Sequence, residues 1–193
     1  MTGKNIFLVN PSLFKTPQEV VLVTHKPERE FILQLIDHSQ AIESWIKSPD
    51  SNFYSLDYEF WKKGKDRVRR QFNPDFFIKT SINRYIKYVN NSLAKKKLRE
   101  IENLGIEDLI FVVEIKGEDD YREVTLAKEE AGRKHFESIN KALLGKGLQP
   151  FNPADLADRY TDSFRQHYLF SLLRIEDFTS WFKKFEDGTL VLS

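Results

Sequence analysis

The sequence predicts an α/β fold, a mixed sheet flanked by helices, and three observations carry that prediction. The run Leu109-Ile110-Phe111-Val112-Val113 is apolar and rich in β-branched residues, and it leads into Glu114-Ile115-Lys116-Gly117. It reads as a buried central strand that ends at a site. Apolar residues recur at helical spacing on both sides of it: Phe31, Ile32, Leu35, Ile36, Ile42, Trp45 and Ile46 before, Leu126, Ala127, Ala131, Phe136, Ile139 and Leu143 after. The order of elements is helix, strand, strand, strand, helix, strand, and one mixed sheet with helices packed on it is the simplest way to bury both stripes.

Each element has its own signal. Residues 1–27 form an N-terminal arm or two short strands, around 6–9 and 20–23, and 28–193 form one domain. Pro27-Glu28-Arg29-Glu30 opens the first helix with acidic residues where the helix dipole favours them, and 48–52 ends it. Alternation in 53–60 puts Tyr54, Leu56, Tyr58 and Phe60 on one face of a strand. A turn at 62–66 returns the chain through Val68 to Phe72-Asn73-Pro74-Asp75-Phe76 and on to Lys79, giving a hairpin. Residues 82–103 supply one or two helices, a helical insertion before the central strand at 109–116. An acidic loop at 118–120, a helix over 123–144 stopped by Gly145 and Gly147, a polar connection at 148–162, a strand at 164–173 and a helix at 176–185 complete the chain.

Composition narrows the function classes. The 193 residues suit one sizeable domain, and sixteen Phe with three Trp provide ample core. Thirty basic against twenty-nine acidic residues leave nucleic acid to a local patch, since the overall balance does not speak for it. The absence of cysteine removes disulfides and thiolate chemistry. With neither a signal-peptide core nor an apolar run of membrane-spanning length, the expectation is a soluble cytoplasmic protein with no membrane partner.

Chemistry concentrates at strand ends. Glu114 and Lys116 project from the same face, since side chains alternate along a strand, while Ile115 packs the other way. Asp75, just after Pro74, joins them if its strand is a neighbour. Two converging carboxylates repel and raise one pKa, and a hard cation such as Mg²⁺ resolves the conflict with carboxylate, water and phosphate oxygens. Taken alone, a Glu-x-Lys at a strand end is more often a surface salt bridge than a catalytic pair.

Pro74-Asp75 followed by Glu114-Ile115-Lys116 on an αβββαβ framework resembles the PD-(D/E)xK nuclease superfamily, to which many restriction endonucleases belong. Pro27-Glu28-Arg29-Glu30-Phe31, Lys128 to Asn140 and Tyr168-Leu169-Phe170 with Asp177-Phe178 narrow the resemblance. From about residue 20 onward the chain looks like the C-terminal endonuclease domain of type III restriction enzyme subunits and related helicase-nuclease proteins.

The resemblance implies a restriction-endonuclease-like core and a Mg²⁺-dependent DNA endonuclease, with Mn²⁺ as substitute, in restriction-modification or anti-phage defence. Asp75, Glu114 and the Ile115 carbonyl would bind the metal, Lys116 would position the attacking water, and Glu30 would assist the metal or its water shell. It also implies a helicase/ATPase or modification subunit as partner, and a homo-oligomer if both strands are cut. Two departures stand out: residues 81–107 exceed the usual family spacing, and no GxxxxGK[ST] loop exists, so any motor is another chain or a removed part.

The basic run Lys62, Lys63, Lys65, Arg67, Arg69 and Arg70, opposed by Asp66 alone, is the candidate DNA-phosphate contact, the other reading being a solvated hairpin. Lys95, Lys96, Lys97 and Arg99 read as a solvated helix face. Lys128 and His135, seven apart on one helical face, either touch substrate or lie on exposed surface. Tyr54 and Tyr58 are core, or stack on bases if exposed. A non-catalytic nucleic-acid-binding or docking module of the same fold, beside a helicase partner, is the alternative function. A plain interaction domain is the third.

Overall fold

The computed structural model of the protein describes residues 5–8, 16–18, 20–23, 25–49, 53–62, 66–116, 122–144 and 166–192. In chain order the strands and helices are β1 (Asn5–Leu8), β2 (Val20–Val23), α1 (Lys26–Asp37), β3 (Ser44–Lys47), β4 (Leu56–Lys62), β5 (Asp66–Phe72) and β6 (Phe76–Ser81). There follow α2 (Ile82–Tyr88), α3 (Ser92–Glu102), β7 (Asp108–Ile115), α4 (Arg122–Leu144), β8 (Gln166–Leu173) and α5 (Phe178–Asp187). Among the described residues no helix is long and apolar enough to cross a membrane.

A four-stranded mixed sheet runs in the order β3-β6-β7-β8. The first three strands are antiparallel to their neighbours, and β8 lies parallel to β7. The parallel step needs a crossover, and α4 provides it. Strands β1 and β2 pair separately, as does the β4–β5 hairpin.

Two expectations are corrected here. The first helix stops at Asp37, and Trp45 and Ile46 belong to strand β3, not to a helical stripe. Ser44-Trp45-Ile46-Lys47 alternates half-buried and buried residues, the period of a strand, and its aromatic and β-branched centre suits a sheet. The hairpin is also not part of the main sheet. Phe72 closes β5 while Phe76 opens β6 in a different sheet, with Asn73-Pro74-Asp75 between them. Pro74 has no N–H to give to a ladder, so pairing breaks there. The three strands of the central sheet that precede α4 are therefore β3, β6 and β7.

The central strand sorts the core by parity. Leu109, Phe111, Val113 and Ile115 pack on one face with Phe31, Trp181 and Phe185 of α1 and α5. Ile110 and Val112 pack on the other with Leu56, Tyr58, Phe72 and Phe136, from the hairpin and α4. Within α4 the buried residues are Val124, Thr125, Gly132 and Phe136; Leu126, expected in the buried stripe, is 54% exposed.

Both border strands carry a side-chain amide. Gln18 accepts from the Lys47 N–H through Oε1 at 2.8 Å and donates to the Lys47 carbonyl through Nε2 at 3.0 Å. At the opposite border, Asn140 of α4 accepts from the Tyr168 N–H and donates to the Tyr168 carbonyl, both at 2.8 Å.

Candidate functional site

Parity also places the carboxylates. One step beyond the last paired residues, Phe76 and Val113, Asp75 stands across from Glu114 at the ends of adjacent antiparallel strands. Residues opposite one another share a face. Phe77 and Val112, the next such pair on that side, belong to the core under α4, so Asp75 and Glu114 look toward α4 and the hairpin.

Backbone contacts fix Asp75 from two sides. Its Oδ2 accepts from the Ile115 N–H at 2.6 Å, and its carbonyl accepts from the Ser48 N–H at 2.8 Å. The Ile115 peptide, whose carbonyl the sequence assigned to a metal, thus lies against Asp75, and its side chain packs in the opposite core. Burial pushes the Asp75 pKa up to about 7; the charge of Glu28 adds to the rise, while the Ile115 hydrogen bond and the ammonium groups of Lys47 and Lys128 oppose it.

Glu114 is 5% exposed, and its Oε1 receives Lys128 Nζ at 3.0 Å. Lys128 Nζ also lies 5.7 Å from the centre of the Phe72 ring, an ammonium over an aromatic face. Of the two readings for Lys128, exposed helix surface is corrected: the side chain is mostly buried, and its ammonium belongs to the carboxylate site. Its position was legible, since it follows the buried Val124 by four residues on one helical face. His135, a further seven residues on, is likewise turned inward. Its Nε2 lies 2.7 Å from the Tyr54 hydroxyl, and burial lowers its pKa.

The acidic residue of α1 is also corrected. Glu30 is exposed, whereas Glu28 is 6% exposed and reaches Lys47 Nζ at 3.3 Å. Helical periodicity gives the reason. Glu28, Phe31, Ile32 and Leu35 follow the i, i+3, i+4, i+7 pattern of one buried face, and Glu30, two residues on from Glu28, falls on the opposite side. Lys47 was missed altogether because its segment was assigned to a helix.

Lys116 is half-buried just past β7, on the Glu114 side by strand alternation, and its N–H continues the parallel ladder to the Leu173 carbonyl at 2.7 Å. At this end of the sheet Asp75, Glu114 and Lys128 thus stand on the α4 side, Glu28 and Lys47 pair between α1 and β3, and Lys116 follows Glu114.

The basic hairpin is partly neutralised. Arg69 Nη2 pairs with Asp57 Oδ2 at 2.6 Å, and Arg67 pairs with Glu59. Lys62 is exposed, and the Arg70 guanidinium lies 5.6 Å from the Phe60 ring. Lys63 and Lys65 lie outside the described residues. Tyr58 is core, at 5% exposed.

The donor set suits a hard cation in kind, since carboxylate and peptide oxygens are what Mg²⁺ selects. Among the described residues no three acidic or imidazole side chains stand close enough together to hold a metal ion. Asp75 and Glu114 are the residues that would hold such an ion. No protein-family model, curated protein or solved structure matches the chain.

Proposed function

We propose that the protein is a metal-dependent DNA endonuclease with a restriction-endonuclease-like core, serving restriction or anti-phage defence. The observation that supports this reading best is the placement of Asp75 and Glu114 across from one another on adjacent strand ends, beside lysines on two elements. The element order α1, β3, β6, β7, α4, β8 accords with the αβββαβ framework that the sequence resembles. A bound Mg²⁺ would supply charge to the phosphate oxygens and an acidified water. Asp75 and Glu114 would hold it, the Ile115 N–H fixes the Asp75 carboxylate, and Glu28 with Lys47 sets the field beneath Asp75. Lys116 orients the attacking water, and Lys128 neutralises Glu114 and then charge on the phosphate.

The test is cleavage of supercoiled plasmid and single-stranded DNA with Mg²⁺ or Mn²⁺, comparing the native chain with Asp75→Ala and Lys116→Ala. Metal-dependent cutting lost in both variants supports the reading; cutting that survives Asp75→Ala sinks it. A second reading, a non-catalytic nucleic-acid-binding or docking module beside a helicase partner, draws on the pairing of Glu114 with Lys128 and of Glu28 with Lys47. In that module internal lysines already satisfy two of the carboxylates, and divalent metal leaves thermal stability unchanged.

A further inference from the structure

We propose that an aromatic pocket beside Asp75 holds one unstacked base of a single nucleic-acid strand whose adjacent phosphate reaches the carboxylate site. The inference rests on the nuclease reading for the phosphate and on independent geometry for the base.

The pocket has a volume of about 350 Å³ and lies between the border strand β3 and the second half of α4. Phe53, Tyr54, Phe77 and Tyr168 wall it, its lining is almost wholly apolar, and Ser44 and Lys79 stand at its border. Asp75, Phe77 and Lys79 share one face of β6, so the pocket starts about 7 Å from Asp75 along the strand and ends about 13 Å away, at roughly 3.3 Å per residue.

Its lining matches a base in three respects. Phe53, 47% exposed, meets Phe77 edge-on with centroids 5.9 Å apart, and an exposed ring there is a stacking surface. Lys79 borders one end of the pocket, and its ammonium, held 2.9 Å from Asp108 Oδ2, keeps further N–H donors for an acceptor on a base edge. The volume is at the small end for ligand sites, enough for one nucleoside and too little for a base pair. A base must leave its stack to enter, so the substrate is single-stranded or locally opened.

The experiment uses a single-stranded oligonucleotide carrying 2-aminopurine, titrated with the full chain in EDTA so that no cutting intervenes. The native protein changes the emission saturably, and a duplex with the same base paired gives no change. Phe53→Ala weakens binding roughly 5- to 100-fold, the range for loss of one stacking ring. Ser44→Trp, which fills the pocket, abolishes the emission change; circular dichroism checks its fold, and Phe53→Ala keeps the test decisive if Ser44→Trp does not fold. Unchanged affinity and emission in both variants overturn the pocket, whatever the protein cuts. Complete displacement by an equal concentration of free adenosine monophosphate overturns it too, since the ligand is then a free nucleotide. Emission changes without any metal-dependent cleavage keep the pocket and sink the nuclease.

Discussion

The Ile115 N–H donates to Asp75 Oδ2 over 2.6 Å, which ties the end of β6 to the central strand one residue past Glu114. That bond favours the ionised carboxylate, yet burial outweighs it and carries the pKa up to about 7. In the unfolded chain Asp75 ionises near pH 4, so between about pH 4 and pH 7 the folded state holds a proton that the unfolded state has lost. Folding stability from this group is fully present below that window and falls as pH rises through it. Urea unfolding without metal at several pH values should show the native chain losing stability across the window relative to Asp75→Asn. Parallel curves for the two proteins would contradict it. By the same linkage, the Mg²⁺ binding that the nuclease reading proposes should strengthen as pH rises toward 7 and above, because a metal takes the ionised form.

Lys128→Met deprives the buried Glu114 of its ammonium at 3.0 Å. Removal of one partner from a buried pair costs about 3–5 kcal/mol, and the variant should lose stability of that order in urea unfolding. Millimolar Mg²⁺ should return part of the loss, since a cation at Glu114 and Asp75 replaces the missing charge. A variant as stable as the native chain would show that the pair contributes little.

Glu28→Gln and Glu30→Gln differ by two positions and should behave oppositely. Glu28 is buried against Lys47 and close enough to Asp75 to move its pKa, so the substitution should cost about 3 kcal/mol and lower any metal-dependent cleavage. Glu30 is exposed, and its substitution should stay within about 0.5 kcal/mol and leave cleavage intact. Cleavage lost in Glu30→Gln alone would restore the role first assigned to that residue.

On the hairpin, Lys62→Ala and Arg70→Ala should weaken DNA binding more than Arg67→Ala and Arg69→Ala, whose charges are held by Glu59 and Asp57. Each lost phosphate contact lowers the slope of log affinity against log salt by about 0.9. Filter binding between 50 and 200 mM salt measures it, and equal slopes for all four would remove the hairpin from the DNA interface.

The pattern of apolar residues made the central strand and β8 legible as short apolar runs, and α4 and α5 as helical stripes. It left the meeting of Asp75 and Glu114 conditional on neighbouring strands, and β6 and β7 are neighbours. Strand β3 escaped because Ile42, Trp45 and Ile46 also fit a helical repeat, and four residues are too few to separate the two periods. Glu28 reads in the sequence only as a first-turn acid, Lys47 falls in a segment that fits a helix, and Lys128 is placed on its helical face but not beside Glu114. All three lie on buried faces that their apolar neighbours define. Which charge pairs with which is a property of the assembled site, and no local pattern contains it.

Gln18 and Asn140 carry a consequence for assembly. Each occupies the N–H and the carbonyl of one residue, Lys47 at one border of the sheet and Tyr168 at the other, with the two bonds a neighbouring strand would make. A newcomer zipping onto either border must first evict an amide that already satisfies that position, which discourages ribbon-like aggregation. Two copies that cooperate on a duplex would then meet through helices or the hairpin, with their sheets kept apart.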